Sequence, residues 1–97
     1  MYLKIHRIPG TGGIVAVCDR DLLNRTLRHG EMEICVSETF YGTGEAGRDE
    51  VVKALKSAGN INLIGKQAVS VAIECGVLAE GAYILIDGVP HAQIYQA

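Results

Sequence analysis

His91 is the side chain of this chain best suited to proton transfer or metal ligation near neutral pH, since an unperturbed imidazole titrates at about 6.5. Asp87 lies four residues before it and Gln93 two residues after it, so one short stretch holds an acid, a base and an amide. That trio could form a small acid–base site, with Cys18 as a nucleophile if the fold carried it over His91. Each member also has an ordinary structural role. His91 falls in an apolar run, where a half-buried imidazole hydrogen-bonded to backbone is common. Cys18 ends the apolar run Ile14–Cys18, and the neighbouring Asp19 carboxylate raises a thiol pKa rather than lowering it. His6, His29 and His91 are scattered, without the local ligand spacing of a structural zinc site. No metal and no cofactor is expected.

Two glycine clusters could in principle meet phosphate. Gly42-x-Gly44-x-x-Gly47 has the spacing of a dinucleotide fingerprint and precedes a helical pattern. Phe40 and Tyr41 separate it from the preceding strand, however, and no acidic residue ends the next strand at the required distance. Asp49 and Glu50 would also put negative charge in the turn that faces the phosphate, so a loop entering a helix is expected. Gly10-Thr11-Gly12-Gly13 lacks the Gly-Lys-Ser/Thr of a P-loop and sits where a strand-to-strand turn is needed.

For binding rather than catalysis, Tyr41, His91, Gln93 and Tyr95 are the amphipathic contact candidates. Arg25 and Arg28 lie in the most basic stretch, where they could touch RNA phosphates. Asp19, Asp21 and Glu31 interleave with them and make a solvated surface the competing reading.

The element that must position His91 and Gln93 is a C-terminal hairpin. Apolar runs flank Asp87-Gly88, a pair that readily adopts the positive φ angles of a type I′ turn. With those two residues as the loop, Ile86 closes on Val89, Leu85 faces Pro90, and Ile84 faces His91. Tyr83, Leu85, Pro90, Ala92 and Ile94 then share one face, expected to be core. Ile84, Ile86, Val89, His91, Gln93 and Tyr95 share the other, expected to be partly open. Pro90 has no N–H, so the side of its strand away from the turn partner is expected to be a sheet edge.

Upstream, alternation from Tyr2 to Ile8 and the β-branched run Ile14–Cys18 predict an N-terminal hairpin. Asp19 could cap a short helix carrying Leu22, Leu23 and Leu27 inward and ending at Gly30, although the stretch around Arg25 and Arg28 could equally be extended. Glu33–Ser37 reads as a strand, 42–47 as a flexible stretch, and Asn60–Ile64 as a short connector or strand. Apolar residues at helical spacing place helices over Arg48–Ala58 and Lys66–Cys75. The expected fold is α+β: a single small domain, residues 1–97, with a mostly antiparallel sheet of about five strands and two main helices packed on it.

Composition sets the outer bounds. Nine basic and eleven acidic residues give a net charge of −2, so no global basic field drives sequence-independent nucleic-acid binding and nothing signals DNA. Hydrophobic residues make up 48% of the chain and mean hydropathy is +0.20, apolar for a domain with so much surface per volume. A homo-oligomer or an apolar partner-binding face is therefore expected. Three cysteines without paired spacing suggest reduced thiols, and no apolar run reaches the roughly 20 residues that cross a bilayer. A cytoplasmic protein is expected.

Several stretches taken together resemble a known family. Val17-Cys18-Asp19 followed by Leu22-Leu23, Ser37-Glu38-Thr39-Phe40-Tyr41-Gly42, Asn62-Leu63-Ile64-Gly65 and above all Gly88-Val89-Pro90-His91-Ala92-Gln93 are similar to small archaeal proteins catalogued as domain of unknown function four hundred and twenty-four. The resemblance covers essentially the whole chain. It implies a compact intracellular domain and no particular activity. The function expected is a macromolecule-binding module with a protein or RNA partner, RNA- or translation-associated. The alternative is a small enzyme built around His91.

Overall fold

The structure is a computed structural model that describes residues 1–10 and 12–96. Thr11 and Ala97 lie outside the described residues. Two strands open the chain, β1 (Tyr2–His6) and β2 (Ile14–Cys18), joined antiparallel through the glycine turn. At the other end β6 (Ile84–Ile86) and β7 (Val89–Tyr95) form the C-terminal hairpin. Asp87 and Gly88 both have positive φ, 53° and 76°, and the pairing Ile86↔Val89, Leu85↔Pro90, Ile84↔His91 is the expected register.

Between the hairpins the chain makes a single 3-10 turn (Arg20–Leu22), the small hairpin β3 (Thr26–His29) and β4 (Met32–Cys35), and the one-turn helix α1 (Glu38–Tyr41). Helix α2 (Arg48–Ser57), strand β5 (Asn60–Ile64) and helix α3 (Lys66–Glu74) follow. The main sheet has the order β1-β2-β5-β7-β6. It is antiparallel except that β2 and β5 run parallel, because everything from the 3-10 turn to α2 forms the crossover between them. The α+β expectation of five strands and two main helices therefore holds, with a mixed sheet.

Both faces of that sheet are covered, by different means. Helices α2 and α3 pack Val51, Leu55, Val69 and Ala72 onto Val15, Val17, Ile61 and Leu63. On the opposite face Leu22, Leu27, Val36 and Tyr41 pack onto Ala16, Cys18, Ile64 and Ile86. The second layer explains the β-branched run of β2: a central strand buried on both sides has no solvent face to make polar.

Four expectations change. The segment after Asp19 is extended after its single 3-10 turn, with Leu22 and Leu27 buried and Leu23 partly so, and Gly30 serves a hairpin turn between β3 and β4 rather than a helix end. Residues 44–46 lie against β1, where the Leu3 N–H donates to Gly44 O at 3.1 Å and the Ala46 N–H to Met1 O at 2.9 Å. Pro90 does not mark an edge, because β7 lies between β5 and β6. It is accommodated where the β5 ladder ends, its carbonyl accepting from the Gly65 N–H at 2.9 Å. Lastly, Leu85 and Tyr83 are 54% and 38% exposed rather than core, since β6 reaches past the helical layer. No described helix is long and apolar enough to cross a membrane.

Candidate functional site

The strand register sorts the side chains on the face opposite α2 and α3 into rows. One row runs Tyr2, Cys18, Ile64, His91, Ile84; the next Lys4, Ala16, Asn62, Gln93; the third His6, Ile14, Asn60, Tyr95. The β3–β4 hairpin and α1 cover the apolar parts of the first two rows. The remainder stays open, a surface hollow of about 590 Å³ lined by Ile14, Phe40, Asn60, Ile61, Asn62, Gln93, Ile94 and Tyr95. No residue of this lining is charged.

Its geometry is built from below. α1 is capped by Ser37, whose hydroxyl accepts the Phe40 N–H at 3.3 Å. The turn is pinned to β1 at two points: the Lys4 ammonium donates to Thr39 O at 3.0 Å, and a His6 ring nitrogen lies 2.7 Å from Phe40 O. The His6 ring also stacks on Phe40 with centroids 5.0 Å apart, so Phe40 forms a fixed wall of the hollow. Tyr41, buried beneath, donates its hydroxyl to Asn62 Oδ1 at 2.6 Å. That bond anchors the Asn62 amide through its oxygen at the border of the hollow. Burial pushes the Tyr41 hydroxyl well above its ordinary pKa, with Cys18 adding to the effect, so this donor stays protonated across the working range. Tyr95 stands 80% exposed at the end of the row.

His91 and Gln93 also border a smaller hollow of about 390 Å³ with Gly81, Ala82, Tyr83 and Ile84. Burial lowers the His91 pKa, so its imidazole is neutral near pH 7. Of the expected partners Gln93 borders this hollow with His91, while Asp87 and Cys18 do not line it. Asp87 turns to the β3–β4 hairpin and accepts the Arg28 N–H at 3.2 Å. Cys18 is fully buried and lies two strands from His91 with Ile64 between, roughly 10 Å at the usual strand spacing. Burial, and then Asp19, push its thiol up to about 11. Among the described residues no cluster of His, Cys, Asp and Glu could hold a metal.

Of the binding candidates, Gln93, Tyr95 and His91 therefore share the open face, whereas Tyr41 supports it from inside. Arg25 and Arg28 stand elsewhere, in and beside β3, where Arg28 pairs with Glu33 at 3.1 Å. Asn60 and Asn62 were not among the candidates although the site depends on them. Strict alternation in Asn60-Ile61-Asn62-Leu63 was the available signal: two amides on one face, two aliphatics on the other.

The glycine-rich stretches serve packing. Gly42, at φ 74°, lies against the Lys4 side chain, and Gly44 accepts from β1. The start of α3 is already occupied by a carboxylate. Asp19, 8% exposed, accepts the Gln67 N–H at 3.1 Å and the Ala68 N–H at 2.9 Å, so α3 is capped by a carboxylate from the end of β2.

No curated protein matches the chain. Among solved structures, an uncharacterized conserved protein from Methanopyrus kandleri is similar at a TM-score of 0.82 and 29% identity, covering 99% of this chain and 92% of that one. A family model described as protein of unknown function (DUF424) matches residues 6–97. Those residues run from the end of β1 through β7, and the chain belongs to the DUF424 family.

Proposed function

We propose that this domain is a cytoplasmic macromolecule-binding module, and that the open face bearing Asn60, Asn62, Gln93 and Tyr95 takes unpaired bases of an RNA-containing assembly. The observation that carries the reading is the composition of the hollow: amides held at register positions beside Phe40 and Tyr95, with no charged group. Asparagine and glutamine amides match the donor–acceptor edges of bases, and aromatic rings on an open sheet give bases a surface to stack on. Binding is favoured over catalysis because His91 lacks a described hydrogen-bonded acid–base partner, while Asp87 and Cys18 face elsewhere. Three free cysteines are in keeping with a reducing compartment.

A net charge of −2 gives the reading a distinctive signature. Affinity would come from stacking and base-edge hydrogen bonds rather than counterion release, so its salt dependence is shallow. Titration of short single-stranded oligoribonucleotides at two salt concentrations tests this. The expected result is saturable binding that weakens by roughly tenfold or more in Tyr95→Ala, at about 1–3 kcal/mol per stacked base. Binding to duplex and single strand alike with a steep salt slope, or no binding, overturns it.

A further inference from the structure

The main sheet has two edges, and the chain treats them differently. Along β1 the chain covers its own edge: the Gly44–Ala46 segment supplies the hydrogen bonds at Leu3 and Met1, and Tyr2 bridges to Glu45. Lys4 and His6 are tied to carbonyls of α1. At the β6 end the β3–β4 hairpin approaches only the turn, where the Arg28 N–H reaches the Asp87 carboxylate, and among the described residues no segment hydrogen-bonds the outer side of β6.

The polarity of the β6 edge follows from the turn. A two-residue turn through Asp87 and Gly88 makes Ile86↔Val89 the hydrogen-bonded closing pair and Leu85↔Pro90 a non-bonded one. The Pro90 carbonyl confirms the phase independently, since it points away from β6 to accept from Gly65. The N–H and C=O of Leu85 therefore point out of the sheet, and no hydrogen bond to a described group meets them. Exposed apolar side chains flank them on both faces: Ile84 at 60% on the face of His91, Leu85 at 54% and Tyr83 at 38% on or toward the other. Sheets usually blunt such an edge with lysine, proline, a bulge or a covering segment, and residues 83–86 carry none of these.

We infer that β6 pairs antiparallel with β6 of a second copy, about a two-fold axis through Leu85, joining the two main sheets into one. The register places Leu85 opposite its own copy, Ile84 opposite the copy's Ile86, and Tyr83 opposite the copy's Asp87. A second copy fits this edge better than an unrelated peptide because the run Tyr83-Ile84-Leu85-Ile86-Asp87 is apolar on either side of its centre. Its single charge also falls opposite tyrosine rather than opposite itself, so no like charges meet. The Asp87 turn is already held by the Arg28 N–H, so the strand is presented in its paired shape. Covering the exposed parts of Tyr83, Ile84 and Leu85 with their surroundings removes on the order of 400 Å² per partner, about half of a standard interface, which makes the dimer weak and concentration-dependent.

Analytical ultracentrifugation from about 10 μM to about 1 mM, with amide hydrogen exchange at both ends of the range, reads this directly. The expected result is a rise in average mass toward the dimer together with slower exchange at the Leu85 amide. Ile84→Lys and Leu85→Lys, whose side chains lie on opposite faces, should each weaken association by roughly tenfold or more. Met32→Lys, at a 62% exposed position on the separate β3–β4 hairpin, should leave it unchanged. The exchange measurement needs no variant, so the test survives if a lysine variant unfolds. A monomer throughout, a dimer whose Leu85 amide exchanges no more slowly than in the monomer, or a dimer lost in Met32→Lys and kept in both edge variants overturns the inference.

Discussion

Asp19 and Gly65 form the tightest residue-scale arrangement in the molecule. They follow β2 and β5, the parallel pair, so their loops meet at one end of the sheet. Gly65 has φ 114°, and a Cβ there would collide with the Asp19 carboxyl. Gly65→Ala should therefore cost about 3 kcal/mol or more in chemical denaturation, combining backbone strain with a displaced cap. Asp19→Ala should cost about 2 kcal/mol, with Asp19→Asn recovering part because one acceptor survives. His91 provides a pH-dependent check. Its folded pKa is lowered by burial, so the unfolded chain binds the proton more readily and stability is lost on acidification. The His91 contribution to stability should be flat above about pH 7 and fall as pH drops through about 6.5 toward the lower folded value, and His91→Gln should remove that part of the slope. Thiol reactivity separates the cysteines. At pH 8, mass spectrometry after alkylation should find Cys35 modified first, Cys75 more slowly, and Cys18 intact in the folded protein, because it is buried and its thiol is held near 11.

At the scale of elements, the central strands carry the stability. Leu63, fully buried beneath α2 and α3, should cost about 3–4 kcal/mol on truncation to alanine, measured by urea unfolding. Tyr41→Phe should cost only about 1 kcal/mol yet release the Asn62 amide, so it should weaken base binding more than it weakens the fold. The elements also differ in how readable they were. The C-terminal hairpin was legible to the residue because Asp-Gly dictates a turn, and the turn dictates the pairing. α2 and α3 were legible from their apolar periodicity. The β3–β4 hairpin was not, because Leu22, Leu23 and Leu27 mimic helical spacing while the decisive contacts, Leu27 and Val36 on Ile64 and Ile86, are remote in sequence. β5 was ambiguous because asparagine is unfavourable in strands, and only burial of Ile61 and Leu63 under the helices overrides that preference. The Asp87–His91 proximity in sequence does not carry into space for a simple reason: a turn residue and a strand residue need not face the same way.

For the whole molecule, the two covering layers leave one side of one sheet face open, and that asymmetry is the basis of the functional account. Helices span the first face, while on the second the β3–β4 hairpin and α1, which reaches Asn62 through Tyr41, leave Asn60, Gln93 and Tyr95 uncovered. The open β6 edge lies beyond them, so a dimer through it would place two such surfaces on one continuous sheet. Sedimentation of a native lysate, with and without ribonuclease, should separate the wild-type protein from a Gln93→Ala/Tyr95→Ala variant if this face binds RNA. The account predicts that the wild type travels with large particles, that ribonuclease returns it to the top of the gradient, and that the variant stays there under both conditions. A wild type that remains at the top without ribonuclease, or that keeps its place in the gradient after digestion, would contradict it.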